Sequence, residues 1–126
     1  MFKSLWFGLL CLGLLGCATS ERPPILLAAA GPIYPERARV QRIEGFVILA
    51  YDLTVSGNVV NVRVLDSVPA GLFDTSAVNA VRDWRFLPMQ HNGQSIPATN
   101  QRSTLTFKLT EDEKDSAEKD RNHKAR

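Results

Sequence analysis

The chain has 126 residues, with 15 lysines and arginines against 13 aspartates and glutamates, and its net charge of +2 is too small to argue for a nucleic-acid partner. That length allows one domain plus tails, and a small domain buries only about 60% of its unfolded surface, so extra strands or a partner would help it. Cys11 and Cys17 both stand near the amino end and are read as part of an export segment rather than as a disulfide pair.

The first four residues carry one positive charge, Lys3, and an apolar run over residues 5–15 leads into Leu14-Leu15-Gly16-Cys17. The run falls within the roughly 7 to 15 residues of a signal h-region and below the roughly 17 needed to span a bilayer, which favours cleavage. The segment resembles a bacterial lipoprotein signal. That resemblance implies a signal peptide over residues 1–16 and acylation of Cys17 as the first residue of the mature chain. Several acyl chains on one cysteine, at about 0.8 kcal/mol per buried methylene, would hold the protein firmly at a membrane. By analogy with enteric lipoproteins, which the segment resembles, Ala18 after the cysteine implies sorting to the outer membrane, so the expected location is the periplasmic face of the cell envelope. The alternative is a short uncleaved inner-membrane anchor, or a signal peptide cut elsewhere.

Residues 17–31, with Pro23-Pro24 and a short apolar run over 25–30, read as a tether or a first helix. Fully extended, residues 18–33 reach only about 50 Å. Tyr34-Pro35-Glu36-Arg37-Ala38 then puts proline at an early helical position and Glu36 near the positive end of the helix dipole, which predicts a short helix through Gln41. Gly45 breaks it. Val47, Leu49, Tyr51, Leu53 and Val55 follow at alternate positions and share one face of a strand, while Phe46, Ile48 and Ala50 make the other face apolar too, either covered or sticky. Ser56-Gly57-Asn58 supplies a turn, and residues 59–65 return as a second strand with Val60, Val62 and Val64 in alternation.

After Pro69-Ala70-Gly71 comes the stretch on which the rest is organised. Asp74 is a good N-cap, and Phe73, Ala77, Ala80, Val81 and Trp84 recur on one face of a helix that should stop near Arg85, because Pro88 cannot continue it. These aromatics are read as core packing against a sheet rather than as a cofactor box. Residues 90–94 form a polar loop around Asn92-Gly93, and a third strand runs to Leu109 with Leu105, Phe107 and Leu109 inward. Its first half, Asn100-Gln101-Arg102-Ser103, is polar on both faces and follows Pro97, the marks of an edge strand with weakly fixed register. Residues 110–126 are almost entirely charged and read as a disordered tail.

Catalysis has little to build on. His91 lies in the loop and His123 in the tail, and Asp52, Asp66 and Asp83 are scattered, so neither a nucleophilic triad nor a four-ligand metal set converges, and no cofactor is expected.

Over residues 32–109, about three fifths of the chain, the sequence resembles the TonB C-terminal domain family. The residues that carry the resemblance are Tyr34-Pro35-x-x-Ala38, Arg42-Ile43-Glu44-Gly45-x-Val47, Asp52-x-Thr54-x-x-Gly57, Asn61-Val62, Pro69-Ala70 and Asn79-Ala80-x-Arg82-x-Trp84-Arg85-Phe86-x-Pro88. The implied fold is α+β: helix, strand, strand, helix, strand, with two helices packed on a three-stranded antiparallel sheet. The implied function is strand addition, in which the third strand pairs with the Ton box of an outer-membrane TonB-dependent receptor during transport across the outer membrane. By that resemblance Asn100, Gln101, Arg102, Ser103 and Thr104 would bind the partner's backbone, and Arg37 would reach a carboxylate or carbonyls. The family's force-transmitting members add a membrane helix and a long proline-rich linker, and neither is expected here. The alternative is a structural envelope lipoprotein that uses the same fold to dimerise or to hold another periplasmic protein.

Overall fold

Two side-chain periods, two along the strands and between three and four along the helices, set the layers of this molecule. The structure is a computed structural model that describes Gly16 and residues 18–125. From the amino end its elements are β1 (Glu21–Arg22), β2 (Ile25–Ala28), α1 (Glu36–Val40), β3 (Gly45–Leu53) and β4 (Val59–Val68). There follow α2 (Asp74–Arg82), β5 (Arg85–Leu87), β6 (Met89–His91), β7 (Gln94–Ile96), β8 (Ala98–Phe107) and α3 (Glu111–Lys124). The proposed signal peptide and Cys17 lie outside the described residues, Gly16 excepted.

The principal sheet has three antiparallel strands in the order β4-β3-β8. Val47, Leu49, Tyr51 and Leu53 of β3 are buried on the face toward the helices, as their alternation requires. Leu105 and Phe107 join them from β8, Ala77 and Val81 from α2, Phe73 from the cap position before it and Ala38 from α1. At the centre the rings of Phe73 and Phe107 stack at 4.3 Å, and Tyr34 meets both edge-on at 5.6 and 5.8 Å. Each such buried aromatic contributes about 1.5–3 kcal/mol from removed surface alone. The Tyr34 hydroxyl donates to the Ile43 carbonyl at 2.5 Å, and its pKa is raised, first by burial and then by the charges of Glu44 and Glu113.

The first helix ends at Val40, before Arg42 at φ +56°, so Gly45 does not break it as the sequence suggested but opens β3. A Cβ there would stand 1.9 Å from the Val68 carbonyl oxygen and 2.9 Å from the Phe73 ring, so only glycine lets β3 begin against these neighbours. Gly57 turns the β3-β4 hairpin with φ +81°, and its carbonyl accepts from the Phe86 amide at 3.0 Å, which ties the turn to β5.

The α+β architecture expected from the sequence is the one observed, with several additions. The segment read as a tether forms strands instead: β1 pairs with β6, and β2 pairs with β5. Isolated, such short strands would not hold, and their partners come from sequence more than 50 residues away by the register Ile25↔Leu87, about the separation that local reading cannot see. The polar loop around Asn92-Gly93 is a hairpin joining β6 and β7, with Gly93 at φ +78°. The α2 helix ends at Arg82, leaving Trp84 in the turn and Phe86 on β5, and Asp74 is its first residue rather than its cap. Phe73 takes the cap position with no side-chain capping bond, because its ring is needed in the core.

Along β4 the expected alternation breaks. Bulges fall after Val60 and after Val64, so Val59, Val62 and Val64 turn toward the core while Val60 points outward, 39% exposed. The outer face of the sheet is half-buried at Phe46 and Ile48, and Leu65 and Val68 are exposed beside them.

The charged tail is the largest departure. Residues read as disordered form α3, opened by a capping box in which the Thr110 hydroxyl accepts from the Glu113 amide and Glu113 reaches back to the Thr110 amide. Acidic residues fill the first turn and basic ones the last, in the order the helix dipole favours. The helix is then held against α1: the Arg42 guanidinium donates to the Lys114 carbonyl at 2.6 Å and pairs with Glu118 at 2.8 Å, and Arg121 donates to the Val40 carbonyl at 3.2 Å. Composition alone carries no sign of those distant partners.

Candidate docking edge

Strand β8 pairs with β3 and, among the described residues, with nothing on its other side. Its register, Tyr51↔Gln101, Ala50↔Arg102, Leu49↔Ser103, Ile48↔Thr104 and Val47↔Leu105, puts Gln101 and Ser103 on the helix side and Arg102 and Thr104 on the outer side. The Ser103 hydroxyl meets the Tyr51 hydroxyl at 2.9 Å, and the Gln101 side-chain amide turns back to the Thr99 carbonyl at 3.1 Å. Beyond them Leu105 and Phe107 are anchored in the core. Half of this edge is therefore polar with its backbone toward solvent, and half is fastened from beneath.

Asn100 is different from its four neighbours. It stands at φ +53° in a bulge where two residues of β8, Thr99 and Asn100, face the single residue Asp52 between the pairs Tyr51↔Gln101 and Leu53↔Ala98. Its amide donates to Asp52 Oδ1 at 2.9 Å. The expectation that Asn100 offers an open amide is thus corrected: a carboxylate from the central strand already uses it, and the open edge starts at Gln101.

Asp52 has more partners than this one. Its Oδ2 accepts from the Asn61 side chain at 3.1 Å, and Arg63 Nη2 lies 3.5 Å from Oδ1. Arg63 donates to the Asn61 carbonyl at 2.8 Å and also to the Asn100 side-chain carbonyl. These contacts hold the Asp52 carboxyl below its ordinary pKa, the Asn100 amide contributing most and the Asn61 amide next. Sequence reasoning placed Asp52 among scattered acids. The available signal was a pair of asparagines inside otherwise apolar or polar alternation, since asparagine is the residue best able after glycine to take a positive φ.

Arg37 is exposed on α1, and no hydrogen bond or ion pair links it to residues 100–104 among the described residues. A groove of about 520 Å³ lies between the segment before α1 and one face of α2, with Ile33, Pro35, Leu72, Ser76 and Asn79 on its walls. The segment is strapped there by Trp84 Nε1, which donates to the Ala30 carbonyl at 3.1 Å, and by the Ser76 hydroxyl, which donates to the Ile33 carbonyl. His91 sits on β6, 3.4 Å from Glu21, and among the described residues no group of histidine, cysteine, aspartate and glutamate is placed to hold a metal ion. No helix among the described residues is long and apolar enough to cross a membrane.

Comparison with known proteins bears on this edge. The sequence profile of the family described as Gram-negative bacterial TonB protein C-terminal matches residues 30–109. The chain is 34% identical over 94 residues to Protein TonB of Yersinia enterocolitica, covering 75% of this chain and 34% of that protein. It is 43% identical over 65 residues to Protein TonB of Escherichia coli K12, covering 52% and 27%. The chain therefore spans about a third or less of the length of these relatives. The solution NMR structure of the Pseudomonas aeruginosa TonB CTD is similar with a TM-score of 0.61 at 32% identity, over 70% of this chain and 88% of that one. The TonB2 protein of Vibrio anguillarum follows with a TM-score of 0.53 at 31% identity, over 69% and 82%.

Proposed function

Because the chain belongs to the Gram-negative bacterial TonB protein C-terminal family, whose members transduce energy or bind partners and are not enzymes, we propose that it is a protein-binding module of the cell envelope that works by strand addition. Its β8 edge pairs with the Ton box of an outer-membrane receptor, and the module takes part in TonB-dependent transport. The observation that carries this reading is the sheet order β4-β3-β8, which leaves β8 outermost. An extended peptide laid along Gln101, Arg102, Ser103 and Thr104 would gain main-chain hydrogen bonds, with side chains at alternate positions setting register. Arg37 is proposed as a second contact for a carboxylate, supported by its exposure on α1. Acylation of Cys17 would place the module at the periplasmic face of the outer membrane.

A second reading, a scaffold that dimerises or holds another periplasmic protein, is favoured by β4, the other outermost strand of the same sheet. One titration separates the two. Isotope-labelled full chain is mixed with synthetic Ton box peptides from the receptors of the same cell. The expected outcome is chemical-shift change along residues 101–107. Change confined to β4, or none with any peptide, would remove the receptor role.

A further inference from the structure

Two bulges flank the central strand at the same level of the sheet. On one side β4 doubles Asn61 and Val62 against Tyr51, and on the other β8 doubles Thr99 and Asn100 against Asp52. Both asparagines are left-handed, at φ +52° and +53°, a conformation unfavourable for any residue with a Cβ and tolerated here because something holds it. What holds it is common to both. The Asp52 carboxylate takes the Asn61 side-chain amide on one oxygen and the Asn100 backbone amide on the other, while Arg63 bridges the Asn61 carbonyl and the Asn100 side chain.

We propose that Asp52 is the positioning residue that sets where the docking edge of β8 begins. A strand's side chains alternate with period two, so a slip by one residue would turn Gln101 and Ser103 outward and Arg102 and Thr104 toward the helices, presenting a partner with a different face. The second half of β8 resists such a slip through Leu105 and Phe107, both buried. The first half is held more lightly, by buried Ala98 at its start and by the Ser103-Tyr51 hydroxyl contact, with Gln101 polar and half-buried between them. The extra residue at the bulge decouples the two sides of it: Ala98 keeps its inward place opposite Leu53 and Gln101 keeps its own opposite Tyr51. Without the carboxylate the Asn100 amide loses its acceptor, and the bulge is free to migrate along the polar half.

This inference rests on the docking reading for its use but not for its test, because register is read with no partner present. In isotope-labelled full chain, Asp52→Ala is expected to speed exchange of the Asn100 amide by about tenfold, the scale for losing a hydrogen bond to a charged group, and to abolish the cross-strand contacts of Tyr51 with Gln101. Asp52→Asn keeps one oxygen acceptor for the Asn100 amide while giving up the one that takes Asn61, and is expected to preserve the slow Asn100 exchange and the Tyr51-Gln101 contacts, which a purely electrostatic role would not allow. Should Asp52→Ala fail to fold, Asp52→Ser, whose hydroxyl falls short of Asn100, gives the same readout. Unchanged exchange and unchanged Tyr51-Gln101 contacts in the alanine or serine variant would overturn the proposal. A Ton box peptide that binds a register-shifted variant as tightly as the unaltered chain would overturn it too. A peptide that fails on the unaltered chain counts against docking alone.

Discussion

The aromatic core and the α3 helix are held by opposite kinds of force. Around Phe73 the contacts are ring on ring, with Phe73 and Phe107 buried and Tyr34 half-buried, and joined by residues from α1, α2, β3 and β8. Around α3 they are an ion pair, two guanidinium-to-carbonyl hydrogen bonds and a cap, all at or near the surface. Burial scales with area and is indifferent to salt and pH, whereas exposed charged contacts are worth little singly and are screened. The contrast predicts that the sheet and its β8 edge rest on the core, while α3 is an attachment that can be loosened without disturbing them.

The sharpest way to break that division is at its strong side. Phe73→Ala removes a side chain that is 0% exposed and leaves a cavity beside Phe107, at a cost of about 3–5 kcal/mol. Chemical denaturation should show the midpoint falling for β8 and α2 signals together. A smaller effect is expected from Thr110→Ala, which deletes the capping hydroxyl of α3 and should cost about 1 kcal/mol within that helix. Amide exchange should quicken over residues 111–124 and remain as it was in β3. If β3 exchange quickened equally, α3 would belong to the core after all.

Acidification gives the gentlest separation. Glu113 has its pKa lowered in the folded chain by the Thr110 amide first and the Thr110 hydroxyl second. A depressed carboxylate contributes stability that is present above its unfolded pKa and lost as pH falls through the folded value. The support that Glu113 gives α3 should accordingly be full above the ordinary glutamate range, shrink as pH falls through that range and be gone below the depressed value, so the helical signal weakens on acidification while the near-ultraviolet signal of the Tyr34, Phe73 and Phe107 cluster persists. Simultaneous loss of both signals would contradict the comparison.

Much of the fold was legible because burial writes a period into sequence. The alternation of Val47, Leu49, Tyr51 and Leu53 named the inner face of β3, and the spacing of Phe73, Ala77 and Val81 named the inner face of α2. The edge character of β8 was visible too, since four polar residues in a row after Pro97 have no reason to sit inside a sheet. What could not be read were features with partners far along the chain. Nothing local in residues 21–28 announces that they will find β5 and β6, and nothing in the tail announces Arg42. The loss of the open amide at Asn100 belongs to the same class, for its acceptor lies 48 residues earlier.

By itself, then, the amino-acid order determined which faces are apolar, where the turns fall and that the last strand of the main sheet is polar at its start, because these follow from each residue's own solubility and backbone range. Only the tertiary structure decided that Asp52 reaches both neighbouring strands, that it takes the Asn100 amide at the start of the polar stretch, and that a charged tail becomes a docked helix. Those outcomes depend on which groups meet across the folded molecule, and a hydrogen bond between distant residues has no period to leave in the sequence.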